Sequence, residues 1–126
     1  MDKNKKLDLK KLDLLYNAAA HLKTVEKYPD GVVGAMSQPG AEGLKALCWA
    51  VAELSTRGEL VRRMQGYDRE ETWTAEEIEA VITPYQMMEA KGLVMQAVLH
   101  GMKPPEDEHA EVDEVLAELE KKTANG

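Results

Sequence analysis

The sequence predicts an all-α fold, a compact bundle of about five helices, and two observations lead to that class. Aromatic residues make up only 5% of the chain and phenylalanine is absent, so the core must be built from Leu, Val, Ala, Met and Ile. Such residues pack well between helices, and the shortage of aromatic and β-branched runs argues against a large sheet. The second observation is a pair of helix starts nine residues apart. Thr74 is followed three residues later by Glu77, and Thr83 is followed three residues later by Gln86. Each pair is a capping box.

The chain divides into three parts. Residues 1–16 are a basic N-terminal arm or a short β-hairpin, residues 17–102 are the helical domain, and residues 103–126 are an acidic C-terminal helix and tail. The arm carries two short alternating Leu-Asp-Leu triplets, which favour either an extended hairpin or a backward extension of the first helix. Its positive charges and its apolar residues are Lys3, Lys5, Lys6, Lys10 and Lys11, and Leu7, Leu9, Leu12, Leu14 and Tyr16.

The first helix is predicted over residues 18–28. Asn17 is a favourable N-cap residue, and the helical spacing places Leu22 and Val25 on the inward face. The Tyr-Pro-Asp-Gly sequence at 28–31 is typical of a turn and ends the helix.

A loop over residues 31–40 follows, with one helical turn at 32–36. The central helix is predicted over residues 41–57, with Gly58 in the left-handed position after its last turn. This helix is apolar nearly all round, which indicates that it is covered on several sides. Its apolar residues are Leu44, Ala46, Leu47, Cys48, Trp49, Ala50, Val51, Ala52 and Leu54.

A separate short helix is predicted over residues 59–65. Its spacing places Leu60, Val61 and Met64 inward, and Gly66 closes it.

Two capped helices complete the domain, at about 75–82 and 84–102. Gly92 lies inside the longer one, where it costs about 1 kcal/mol relative to alanine, so we expect it to permit a close helix contact. One flank of the long helix carries four large apolar residues, which indicate either core packing or a partner-binding groove, since flexible thioethers adapt to varied partners. These four residues are Met88, Met95, Leu99 and Met102.

Pro104 and Pro105 break the chain before a tail helix at about 106–122. This helix has a narrow apolar stripe on an acidic body, which predicts docking either on its own domain or in a groove of another molecule. The stripe consists of Val112, Val115, Leu116 and Leu119.

The net charge is −7 and the sequence pI is about 5.0, which argues against a nucleic-acid-binding domain because such surfaces are basic. Nothing in the sequence resembles a signal peptide or a membrane span. The single cysteine, Cys48, has no partner for an internal disulfide and is expected to be a small core residue. These features predict a cytoplasmic protein.

No catalytic constellation is apparent, and we expect no enzyme activity, metal or cofactor. The histidines, His21, His100 and His109, are far apart in sequence. His109 and Asp113 have a spacing that a metal site uses, but without a second His or a Cys nearby they fit a solvated acidic face better. The chain has neither a phosphate-binding loop nor a serine nucleophile elbow.

Four segments together resemble the tail assembly chaperones of long-tailed bacteriophages and prophages. They are Leu-Lys-Thr-Val-Glu-Lys-Tyr at 22–28, Leu-Lys-Ala-Leu-Cys-Trp-Ala-Val-Ala at 44–52, Trp-Thr-Ala-Glu-Glu-Ile at 73–78 and Ile-Thr-Pro-Tyr-Gln-Met-Met-Glu-Ala at 82–90. The resemblance covers roughly residues 12–102 and consists of helix caps and apolar spacing.

The resemblance implies a small non-enzymatic protein of the bacterial host cytoplasm that is absent from the finished virion. Such a protein binds the tape-measure protein and keeps it soluble until the tube subunits polymerise around it. The tail tube protein is a second candidate partner. Membrane and nucleic-acid partners are not expected, whereas self-association is open. The candidate partner-binding residues are Met88, Met95, Leu99, Met102, Val112, Val115, Leu116 and Leu119.

Two other functions fit the sequence. An acidic phage protein that inhibits a host nucleic-acid enzyme would need carboxylates spread over one face of the folded body. A transcriptional regulator would use residues 59–82 as a helix-turn-helix, with basic character from Arg57, Arg62, Arg63 and Arg69.

Overall fold

A computed structural model describes residues 5–103, which form five α-helices and no strand. The all-α prediction is therefore confirmed for this part of the chain, and the predicted tail helix at 106–122 lies outside it. The helices are α1 (Ala18–Lys27), α2 (Val32–Met36), α3 (Ala41–Met64), α4 (Ala75–Val81) and α5 (Pro84–Gly101). The long helix α3 is central, because α1, α2, α4 and α5 all pack against it.

The segment before α1 is an irregular strap, defined here as residues 5–17, with one 3-10 turn at Leu9–Lys11. Two of its hydrogen bonds reach helices that follow much later in the chain. The Leu15 N–H donates to the Leu54 carbonyl at 3.1 Å, and the side-chain amide of Gln86 donates to the Leu7 carbonyl at 3.1 Å.

The predicted N-terminal hairpin is therefore wrong, and so is the backward extension of the first helix. The strap contributes Leu7, Leu9 and Tyr16 to the core, all buried against the helices. The alternating leucines bury apolar surface on α3 and α5 rather than on a second strand, and an isolated two-stranded hairpin would be marginal in water.

Helix α1 begins as predicted, since the Asn17 side chain accepts the N–H of Ala20 at 3.0 Å. The predicted inward face is wrong, because Leu22 and Val25 are exposed. The buried residues are Ala20 and Thr24, whose hydroxyl donates to the Ala20 carbonyl at 2.7 Å. Helix α1 therefore meets the core through small side chains.

Helix α3 continues through Gly58, so the predicted break between a central and a short helix is wrong. The glycine is explained by the strap instead, whose backbone at Asp13 passes so close that a Cβ at position 58 would collide with the Asp13 carbonyl. Gly58 therefore lies inside α3 and permits the close approach of the strap backbone. The helix ends before Gly66, which has φ +92° as its predicted closing role requires.

The inward placement predicted for Leu60 and Met64 is also wrong. Both are exposed in the last two turns of α3, whereas Val61 is half-buried.

The upstream part of α3 forms the centre of the core as its composition predicted. Its buried residues include Ala46, Leu47, Cys48, Ala50, Val51 and Leu54.

Helices α4 and α5 begin where the capping boxes predicted. The Thr74 hydroxyl accepts the Glu77 N–H at 3.1 Å, and the Glu77 carboxylate accepts the Thr74 N–H at 3.0 Å. Thr83 and Gln86 make the corresponding bonds at 3.2 and 3.1 Å. These reciprocal bonds satisfy donors that the first turn of a helix would otherwise leave free.

Candidate functional site

Helix α5 is apolar on two opposite faces. Ala90 and Val94 are fully buried, and Ala97 is partly buried against the same core. The opposite face is exposed, although it also carries large apolar side chains. A helix with one face in its own core normally has a polar outer face, so the outer face of α5 is the most informative surface of the described residues.

The outer face forms a regular stripe, here called the α5 seam. Its members are spaced alternately three and four residues apart, which is the a/d pattern of a coiled coil. They are Tyr85 (79% exposed), Met88 (78%), Gly92, Met95 (41%), Leu99 (55%) and Met102 (60%). The flank predicted from the sequence therefore lies together on one solvent-facing side, and its assignment to the core is wrong.

Gly92 lies in the middle of the seam. The sequence predicts that it permits a close helix contact, and no such contact occurs within the described residues, because a Cβ built at this position meets no atom within 4 Å. Among the described residues, close backbone approaches instead occur at Gly43, Gly58 and Gly101. The packing of α5 on its own core does not explain why position 92 has no side chain.

A groove of about 380 Å³ lies beside the seam, between α5 and the strap. Its floor is mostly apolar, so it widens the apolar surface along α5. The lining residues are Leu9, Lys10, Leu12, Leu14, Leu93, Gln96, Ala97 and His100. Together the seam and the groove are suited to receive an amphipathic helix, whose apolar residues recur at the same spacing.

Glu59 is the most perturbed carboxylate of the described residues. It is buried at the strap-facing side of α3, where one oxygen accepts from Arg62 at 2.6 Å and the other accepts from Arg63 at 2.7 Å. The second oxygen also accepts the Glu70 N–H at 2.8 Å. The hydrogen bond from Glu70, followed by that from Arg63, lowers the pKa of Glu59 from 4.5 to about 2. With both oxygens engaged, this carboxylate ties a loop to α3 and is not available as an acid or base.

The long loop after α3 and the ion pairs of Glu59 argue against a helix-turn-helix over residues 59–82. Such a motif joins its helices by a turn of three or four residues. Here residues 59–64 belong to α3, and the loop 65–74 separates them from α4. Two of the arginines that gave the segment basic character, Arg62 and Arg63, are ion-paired with Glu59.

Cys48 is buried and His21 is engaged by a neighbouring side chain. Cys48 is fully buried, and burial, reinforced by Glu79, raises the pKa of its thiol to about 11. His21 Nδ1 lies 2.8 Å from the Tyr16 hydroxyl and links α1 to the strap. Residues 5–103 contain no group of three or more His, Cys, Asp or Glu side chains placed to share a metal ion. None of their helices combines the length and apolar character needed to cross a membrane.

Two further members of the site were not identified from the sequence. Tyr85 and Gly92 belong to the seam, and the three-and-four spacing that connects them to Met88 and Met95 was visible in the sequence. The candidates Val112, Val115, Leu116 and Leu119 lie outside the described residues, and their role stays a prediction.

Comparison with known proteins finds no matching family model, curated protein or solved structure. The function is therefore argued from the residues and the surface described above.

Proposed function

We propose that this protein is a non-enzymatic chaperone of phage tail assembly, which binds apolar helical segments of the tape-measure protein and keeps them soluble before the tail tube forms. The observation that carries the proposal is the α5 seam, an exposed apolar stripe with coiled-coil spacing on a helix whose other face is already packed. The sequence resemblance to tail assembly chaperones supplies the identity of the partner.

The chemistry of the seam suits reversible capture of helices. Met88, Met95 and Met102 have unbranched thioether side chains, which adjust to partners of different shape. An a/d stripe accepts the matching stripe of another helix by inserting side chains into its gaps. The client helix therefore needs apolar residues at the same spacing and no defined sequence.

The charge of the chain suits the same role. A protein that exposes an apolar surface must avoid associating through it indiscriminately, and a net charge away from zero opposes this. The net charge here is −7. We propose that this charge keeps the complex of chaperone and client in solution.

Co-expression with the tape-measure protein encoded by the same phage or prophage tests the proposal. We expect the tape-measure protein to be soluble with the wild-type chain and to precipitate with the double variant Met95→Glu/Leu99→Glu. Both substitutions place charge in the seam without removing a buried side chain, so the variant should remain folded. Leu22→Glu/Val25→Glu is the matched control, because it places the same two charges at exposed apolar residues of α1.

Two results would contradict the proposal. One is a tape-measure protein that is equally soluble without the wild-type chain. The other is solubilisation that the seam variant supports as well as the wild type. In addition, Leu116→Asp/Leu119→Asp tests whether the tail contributes, with weaker capture expected and little change in the melting temperature.

A further inference from the structure

We infer that two copies of this chain associate through their α5 seams, with the two α5 helices antiparallel and related by a two-fold axis. The inference concerns the protein alone and does not require a client. Its starting point is the a/d spacing of the seam, which is the pattern by which two helices pack against each other.

The seam is complementary to itself in the antiparallel direction. When Gly92 is placed opposite Met95 of a second copy, Met88 falls opposite Leu99 and Tyr85 falls opposite Met102. All six seam positions are then paired, with none left beyond the end of the contact. Interfaces with two-fold symmetry require this property, because each residue must fit its counterpart in both directions.

Gly92 gives an independent reason to expect a second helix at the seam. A glycine inside a helix costs about 1 kcal/mol relative to alanine. Its own domain does not use the missing side chain, since no atom lies within 4 Å of a Cβ placed there. In the antiparallel pair, the space above Gly92 receives the large side chain of Met95 from the second copy, which accounts for the glycine.

The charges beside the seam permit the same arrangement. Glu89 and Gln96 flank one side of the seam, and Lys91 and Val98 flank the other. Antiparallel packing brings equivalent sides together, so Glu89 lies near Gln96 of the second copy and Lys91 lies near its Val98. No like charges are brought together at these flanks.

The size of the surface sets the strength of the association. The exposed parts of the five seam side chains amount to on the order of 600 Å² in each copy. The pair can therefore bury at most about 1,200 Å² through these side chains, which is the lower limit for a specific interface. The dimer should therefore be weak and depend on concentration. If the proposed chaperone function is correct, client helices compete with this dimer for the same surface.

Sedimentation equilibrium of the purified full chain, without any client, tests the association. We expect the average mass to rise from monomer to dimer with concentration for the wild type and for the control Leu22→Glu/Val25→Glu, which carries the same added charge outside the seam. Met95→Glu/Leu99→Glu should stay monomeric at the same concentrations while its helical circular dichroism is unchanged. A wild type that stays monomeric up to millimolar concentration overturns the inference, and so does a seam variant that dimerises normally.

Cysteine cross-linking tests the direction of the helices. Under mild oxidation, a mixture of Met88→Cys and Leu99→Cys chains should give a disulfide-linked dimer, because these positions face each other. Met88→Cys alone should not, since its two cysteines would be about 16 Å apart along the helix axes, beyond the reach of a disulfide. Efficient linkage of Met88→Cys to itself would instead show parallel helices and refute the antiparallel pairing.

The native Cys48 does not interfere with this experiment, because it is fully buried. The dimer and the chaperone function can also be refuted independently of each other. A dimer that forms without any capture of the tape-measure protein would refute only the proposed function, and capture by a strictly monomeric chain would refute only the dimer.

Discussion

The Glu59 carboxylate accepts the backbone N–H of Glu70 at 2.8 Å and thereby fastens the loop after α3 to the helix it has just left. Arg62 and Arg63 hold the same carboxylate from the following turn of α3. The loop 65–74 leads into α4, so this cluster determines where the second half of the domain begins to pack.

The Glu59 cluster predicts a specific dependence of stability on pH. The pKa of Glu59 is about 2 in the folded chain and 4.5 in its ordinary state, so its ionised form stabilises the fold above pH 4.5. This contribution is lost as the pH falls from 4.5 to about 2. We expect Glu59→Gln to be less stable than the wild type at pH 7, with the difference shrinking through that window.

Urea denaturation of both chains at a series of pH values measures this difference. Subtracting the two curves removes the effect of the other carboxylates, which titrate in both chains. A difference in unfolding free energy that is constant from pH 7 to pH 2 would show that Glu59 acts through its shape rather than its charge.

Two glycines in helices should respond oppositely to the same substitution. Gly58→Ala should destabilise the domain despite the higher helix propensity of alanine, because the new Cβ collides with the Asp13 carbonyl of the strap. Gly92→Ala should stabilise it by up to about 1 kcal/mol, since its Cβ enters open space. Thermal unfolding at a concentration where the chain is monomeric measures both, and stabilisation by Gly58→Ala would contradict the close approach of the strap.

The two capping boxes should contribute separately to stability. Thr74→Ala and Thr83→Ala each remove a hydroxyl that accepts an N–H of the first helical turn, and each should cost about 1 kcal/mol. Thr72→Ala is the matched control, since Thr72 accepts a bond from Lys5 through its backbone carbonyl. Urea denaturation measures all three, and equal losses for Thr72 and Thr74 would argue against the capping role.

Cys48 should be unreactive while the domain is folded. Its side chain is fully buried and the pKa of its thiol is raised to about 11, so at pH 8 little thiolate is present and none is accessible. We expect labelling by a thiol reagent to be slow in buffer and fast in denaturing urea. Rapid labelling in buffer would indicate that α3 opens locally around this residue.

The local part of the fold could be predicted from the sequence. The starts of α1, α4 and α5 followed from Asn17, Thr74 and Thr83, because a cap satisfies backbone donors two or three residues away and needs no other part of the chain. The turn of helix at Val32–Met36 and the closing role of Gly66 were also confirmed.

The parts that failed depend on distant residues. Gly58 has the sequence signature of a helix end, but the strap backbone at Asp13 gives it a different role. The helical spacing of Leu22 and Val25 was real, yet which face of α1 is covered depends on where α3 lies. The alternation in the strap likewise reflects contacts with helices far along the chain.

The candidate site was predictable in position but not in exposure. The sequence located a flank of methionines on α5, whereas its opposite face, with Ala90 and Val94, was not distinguished as the one that enters the core. Two apolar faces on one helix give no periodicity that separates inside from outside. Only the packed structure shows which face of α5 remains exposed to solvent.

The strap has a consequence for the order in which the domain assembles during synthesis. The Leu7 carbonyl accepts from the side chain of Gln86, which follows 79 residues later. The strap therefore leaves the ribosome long before the α5 surface on which it packs has been synthesised. The native contacts of Leu7, Leu9 and Tyr16 with α5 can form only after α5 has emerged, and contacts between such distant residues form slowly. Until then the apolar side chains of the strap lack their native partners on α5, which makes the nascent chain prone to aggregation.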